Sequence, residues 1–178
     1  MKDANFINKK YNSILIKKLA LTGLLFALAI VLAILEGMFP MPIPVPGVKL
    51  GLSNIVVMYS LFFLKRRNAI AIAVLKGFFV FITRGPVSGA LSICGGLLSI
   101  LIMIILMLIF KDKLSYLIVS VSGAIFHNIG QFIVASFIMS TPLWFYFPIL
   151  LLSGLIAGFA TSILLKITLP AFERLHLR

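Results

Sequence analysis

The chain has 178 residues, of which 62% are hydrophobic and 11% charged, with a mean hydropathy of +1.20. A soluble domain carries roughly a quarter charged residues, and apolar runs of 18 or more residues imply membrane spans, so the composition is that of an integral membrane protein. A single cysteine, Cys94, excludes a disulfide framework, a cysteine-ligated zinc site and an iron–sulfur cluster supplied by this chain alone.

In chain order, residues 1–17 form a basic arm with Lys2, Lys9, Lys10 and Lys17, which we expect to lie in the cytoplasm. The first predicted span, 18–36, has no small-residue cleavage pattern after it and reads as a retained helix rather than a secretory signal. Ala20, Gly23 and Ala27 share one of its faces, and Ala29 and Ala33 form a second small pair on roughly the opposite face. Small-xxx-small spacing lets helix backbones approach closely. Two opposed small faces allow one to serve the chain's own bundle and the other a separate membrane partner; the alternative is that both pack internally.

The stretch EGMFPMPIPVPGVKLGLSN, residues 36–54, follows as the first external loop. Prolines at 40, 42, 44 and 46 disfavour helix at each preceding residue, so the segment is expected to run extended as a stiff strap. Gly47 and Gly51 bracket Lys49 where the chain re-enters the membrane. Lys49 and the positive end of the second helix together favour an anion there.

The second and third predicted spans, 51–64 and 68–84, are short and separated by Lys65-Arg66-Arg67. A re-entrant hairpin would bury those three charges at membrane depth, at several kcal/mol per charge, so two short spans are expected. The fourth span, 88–110, opens with Ser88, Ser92 and Gly96 at four-residue intervals, and Lys111 and Lys113 follow it. The fifth, 115–139, carries His127, Asn128 and Gln131 near its middle. The sixth, 143–166, has Gly154 and Gly158 with Ala157 and Thr161 alongside, and residues 167–178 form a basic tail.

With six spans, Lys2, Lys9, Lys10, Lys17, Lys18, Lys65, Arg66, Arg67, Lys111, Lys113, Lys166, Arg174 and Arg178 all fall on one side. The positive-inside rule makes that side cytoplasmic, with both termini inside. Most of the net charge of +12 is therefore a topology signal, with lipid headgroups rather than nucleic acid as its counterpart. Four charged residues remain: Lys49, Lys76, Arg84 and one acid, Glu36, since Asp3, Asp112 and Glu173 are on the inner side.

Lys76 lies about eight residues from each end of the third span, too deep for easy snorkelling. Intramembrane ionisable residues usually face the bundle interior or a wet cavity, so it reads either as ligand-facing or as a structural lysine paired with Glu36. Arg84, beside Gly85-Pro86, reads as a ligand group or an interfacial anchor. His127 and Gln131, four residues apart, share a helical face with Asn128 beside it. They form either a substrate-facing polar wall or interhelical hydrogen bonds; one histidine without carboxylate or thiolate partners is not a metal site. Phe78, Phe79, Phe81, Trp144, Phe145 and Tyr146 are candidates for an aromatic wall, or for the lipid-facing belt.

Catalysis is poorly provided for, with one carboxylate near the membrane. No GxxxxGK[ST] loop is present to bind ATP, and a lone Glu36 is thin provision for an ion-driven symporter. A binding protein fits better, for an anionic ligand with an apolar or aromatic body.

P-x-P-G-x-K-L-G-L-x-N (Pro44 to Asn54), a Lys-Gly span at residue 76, C-G-G-L-L-S (Cys94 to Ser99) and G-A-x-x-H-N-x-G-Q (Gly123 to Gln131) occur in that order. In this combination the chain resembles the bacterial membrane family labelled heptaprenyl diphosphate synthase component I, or Gx transporter. The paired DDxxD motifs of prenyl synthases are absent. The family resembles instead the S components of energy-coupling factor (ECF) transporters, and that resemblance implies an all-α bundle of six transmembrane helices in the bacterial cytoplasmic membrane. It further implies a non-enzymatic binder of a micronutrient or redox-cofactor precursor, flavin or isoprenoid/quinone related. Its partners would be a transmembrane coupling subunit and two ATPase subunits. The small residues of the first helix, nearest to the A-x-x-x-A pattern at Gly23/Ala27 and Ala29/Ala33, would dock the coupling subunit. The loop holding Lys49 would be the lid. Glu36, Lys49, Asn54, Lys76, Arg84, His127, Asn128 and Gln131 are then the expected ligand-binding residues, with no cofactor. The alternatives are a non-catalytic membrane subunit of an isoprenoid or electron-transfer system and a secondary transporter working alone.

Overall fold

A computed structural model describes residues 2–38, 52–110, 114–139 and 143–173. The proline strap and Lys49 lie outside the described residues, so the expectations placed on them are not addressed by the structure. Among the described residues there are six α-helices and no strands: α1 (Lys2–Met38), α2 (Asn54–Phe63), α3 (Arg66–Arg84), α4 (Pro86–Phe110), α5 (Tyr116–Met139) and α6 (Phe147–Glu173), with one 3₁₀ turn, Leu143–Tyr146, before the last.

Four of these helices are long and apolar enough to cross a membrane: Leu15–Met38, Pro86–Phe110, Tyr116–Ile138 and Trp144–Ile167. The expected spans 18–36, 88–110, 115–139 and 143–166 coincide with them to within a few residues. α3, at 19 residues, is about 28 Å long, but Arg66, Arg67, Lys76 and Arg84 keep it out of that apolar class. α1 does not begin at the bilayer. It continues back through the basic arm to Lys2, and the whole helix runs 37 residues, about 55 Å.

The principal departure is α2. Its 10 residues span about 15 Å, half the hydrocarbon thickness. The apolar run that predicts a span over 51–64 becomes helical only at Asn54. α2 packs against α1, α3, α4 and α6, and every residue from Val56 to Leu61 is buried. A half-length helix is tolerated at membrane depth because its neighbours, rather than lipid, surround it.

α1 and α3 run parallel. Near their basic ends the Asn68 amide nitrogen donates to Thr22 Oγ1 at 2.6 Å, and at their far ends an Arg84 guanidinium nitrogen donates to the Ala33 carbonyl at 2.7 Å. This brings exposed Lys17 and Lys18 to the same end of the molecule as exposed Lys65, Arg66 and Arg67. Towards that end the core joins Leu25, Val57, Tyr59, Leu61, Val119 and Leu165. A smaller cluster of Leu91, Phe132, Ala135 and Leu150 closes the opposite end. α3, α4, α5 and α6 pack consecutively. In a bilayer, close packing and interhelical hydrogen bonds hold such helices together, because lipid tails are as apolar as leucine.

Candidate functional site

The polar residues that composition makes conspicuous are the ones the fold buries. Glu36 and Lys76 are each 3% exposed, Asn128 3%, His127 4% and Gln131 5%. The end of α1 supplies Glu36, mid-α3 supplies Lys76, and mid-α5 supplies the rest. With Ala33, Ser53, Val80 and Ser92, the side chains of Glu36, Lys76, His127 and Gln131 line one cavity of about 10 Å³. A second, of about 20 Å³, is lined by Asn54, Ser99, Ser120, His127, Asn128 and Thr161 among others. His127 borders both. Each cavity is on the scale of a single water molecule.

Lys76 is held from two sides by the start of α2. Its Nζ donates to Asn54 Oδ1 at 2.7 Å and to Ser53 Oγ at 3.1 Å. Ser53 occupies the N-cap position but makes no capping bond, which a serine there ordinarily provides; its hydroxyl turns to Lys76 instead. The positive end of the α2 dipole and the ammonium thus face the same cavity as Glu36.

The side chain of Asn128 takes the interhelical role. Its Nδ2 donates to the Leu150 carbonyl at 2.9 Å and to Ser153 Oγ at 3.1 Å, tying α5 to α6 at the edge of the larger cavity. Ser120 adds a second tie, its hydroxyl donating to the Gly158 carbonyl at 2.7 Å. Arg84 is half-buried and engages α1 through Ala33, and it does not line either cavity. A base at a helix C-terminus favours the dipole there, so Arg84 sets the height of the last turn of α1, which carries Glu36.

The glycine-rich motifs acquire a reason in the crossing of α4 and α5. A Cβ on Gly130 would lie 2.9 Å from the Gly95 Cα, and one on Gly95 would lie 2.8 Å from the His127 carbonyl oxygen and 2.9 Å from Gln131 Cγ. C-G-G in α4 and H-N-x-G-Q in α5 are therefore two halves of one contact. The missing side chains let the backbones meet and leave space for His127 and Gln131.

On α1 the two small faces have different surroundings. Ala29 and Ala33 are buried, at 0% and 5% exposure, inside the bundle. Ala20, Gly23 and Ala27 are exposed, and a side chain on Gly23 would meet nothing within 4 Å. Phe78, Phe81, Trp144 and Phe145 point outward, 45–84% exposed, so they belong to the outer surface rather than to an aromatic wall. Ser53 and Ser153 were not singled out in the sequence, and Ser92 only for its four-residue spacing with Ser88 and Gly96; serine is common in apolar helices and gives no signal of a polar role there. Among the described residues no group of three or more metal-ligating side chains occurs.

Fold and site together define a polytopic helical membrane protein with ionisable and hydrogen-bonding groups at its centre. The family model for heptaprenyl diphosphate synthase component I matches residues 25–168, and the chain belongs to that family. The description, a component, is that of one part of a multi-subunit system. No curated protein and no solved structure matches the chain.

Proposed function

We propose that the protein is the substrate-binding component of an ECF-type importer in the bacterial cytoplasmic membrane, and that it is not itself an enzyme. Its ligand is a micronutrient or redox-cofactor precursor, flavin or isoprenoid/quinone related. The observation that carries this reading is the convergence of Glu36, Lys76, His127 and Gln131 on one cavity in the bundle core. Intramembrane polar and ionisable residues are expensive to bury, and a purely structural bundle does not need four such groups around one space. Asn54 and Asn128 frame the adjoining cavity, while Arg84 supports the end of α1.

For a coupling subunit, the favoured docking face is Ala20-Gly23-Ala27, which is open, rather than Ala29-Ala33, which the bundle occupies. A transmembrane coupling subunit would pack its helices there, and two ATPase subunits would supply the nucleotide chemistry for which this chain has no motif. Gly23→Leu should abolish co-purification with the ATPases and ligand uptake while leaving expression and thermal stability unchanged. Normal uptake by Gly23→Leu would show that this face is not the dock.

The family description favours a second reading, a non-catalytic membrane subunit of an isoprenoid system. A stable complex with a prenyl synthase, formed without ATPases, would select it.

A further inference from the structure

The ligand's charge and hydrogen-bonding character follow from the cavity, on the reading that this is the ligand site. Of the three bases that favour an anion in the sequence, Lys49 lies outside the described residues and Arg84 is engaged with the Ala33 carbonyl. Lys76 donates to Ser53 and Asn54 and lines the cavity together with Glu36. Among the described residues, the formal charges lining that cavity sum to zero, one acid against one base. A phosphate entering it would meet Glu36 as well as Lys76.

One acceptor in that cavity is left without a donor. Gln131, 5% exposed, lines it, and its Oε1 is buried with no hydrogen-bond partner. Nearly all buried side-chain acceptors are satisfied. The α4–α5 crossing sets this side chain in place, because the absence of a Cβ on Gly95 is what admits Gln131 Cγ. The acceptor is thus built into the motif contact.

We infer that the ligand inserts a neutral N–H or O–H donor beside Gln131 Oε1, in the cavity that Glu36 and Lys76 also line, and that the inserted tip is neither a phosphate nor a quinone carbonyl. An imide or lactam edge has the required chemistry, since it gives one N–H to the glutamine carbonyl and offers a carbonyl to the lysine side. A quinone presents acceptors only, and would leave Gln131 as it is.

Three probes separate these cases by calorimetry on the full-length protein in nanodiscs. Lumichrome is a neutral flat imide with N–H donors, menadione is a flat quinone with acceptors only, and pyrophosphate is an anion. The expected result is lumichrome binding at least tenfold more tightly than the other two, with Gln131→Met removing that preference. Circular dichroism melting of Gln131→Met close to wild type establishes that the bundle is intact. Pyrophosphate or menadione binding as tightly as lumichrome, a preference that survives in Gln131→Met, or no binding by any probe (the cavity then holding only water) overturns the inference. Failure of the importer reading is read separately, as failure of the wild-type chain to co-purify with a coupling subunit and ATPases.

Discussion

Lys76 shows how much of this protein's chemistry depends on single residues. An ammonium buried in the middle of a membrane helix has to be supplied with acceptors, and Ser53, Asn54 and the nearby Glu36 are its local environment. Lys76→Met removes two charge-assisted bonds and leaves Glu36 as the formal charge lining the cavity. Hydrogen bonds to charged groups contribute roughly 1.5–3 kcal/mol each, so the variant should lose on the order of 3 kcal/mol and its ligand affinity. Adding Glu36→Gln should restore part of the stability, with a coupling of about 1–3 kcal/mol. Thermal unfolding of the two single variants and the double variant measures it, and strictly additive losses would mean that the two charges do not act as a pair. The sequence makes Lys76, Glu36, His127 and Gln131 legible as lone polar residues in hydrocarbon. It does not make Ser53 legible, because an uncapped serine that turns to a lysine 23 residues away has no local signature.

At the scale of elements, the glycines separate two kinds of position that sequence treats alike. Alanine in a helix interior is favoured over glycine by about 0.5–1 kcal/mol. Gly23→Ala, facing open space, should therefore be neutral or slightly stabilising. Gly130→Ala puts a methyl 2.9 Å from the Gly95 Cα and 3.1 Å from the Cys94 carbonyl oxygen, and backbone cannot rotate aside as a side chain can. The helices must move apart, at roughly 1–3 kcal/mol for overpacking, and His127 and Gln131 shift with α5. Melting temperatures of the two variants compared in one detergent test the contrast; equal stabilities would mean that the α4–α5 crossing is looser than the coordinates show. All six helices are legible as apolar runs, and the four long apolar ones also in their length, because lipid imposes a length on whatever it surrounds. The length of α2 is not, because protein surrounds it. Leu50 and Leu52 continue its apolar run, and only the fold determines that the helix starts at Asn54.

For the whole molecule, the charge distribution predicts an orientation. The exposed bases Lys17, Lys18, Lys65, Arg66 and Arg67 collect at one end of the bundle, and such an end remains cytoplasmic during insertion. Fusions of a fluorescent protein to either terminus should therefore both fluoresce, and alkaline phosphatase fusions at the same points should both be inactive. An active phosphatase at one terminus alone would require an odd number of crossings and would rule out the six-element topology. The gathering of the basic connections at one end was legible in the sequence because they alternate with uncharged ones; the pairing of α1 with α3 was not, since Thr22 and Asn68 are unremarkable until the fold joins them.

α2 also has a bearing on how the protein is made. A 10-residue helix falls well below the roughly 20 residues that let a segment enter the bilayer by its own hydropathy, and it leaves the ribosome before three of the four helices that enclose it, α3, α4 and α6. Its full enclosure therefore waits on α6. The polar centre, whose lysine is held by Ser53 and Asn54 at the start of this element, also needs His127 and Gln131 of α5, so a chain cut short before that helix has no polar centre.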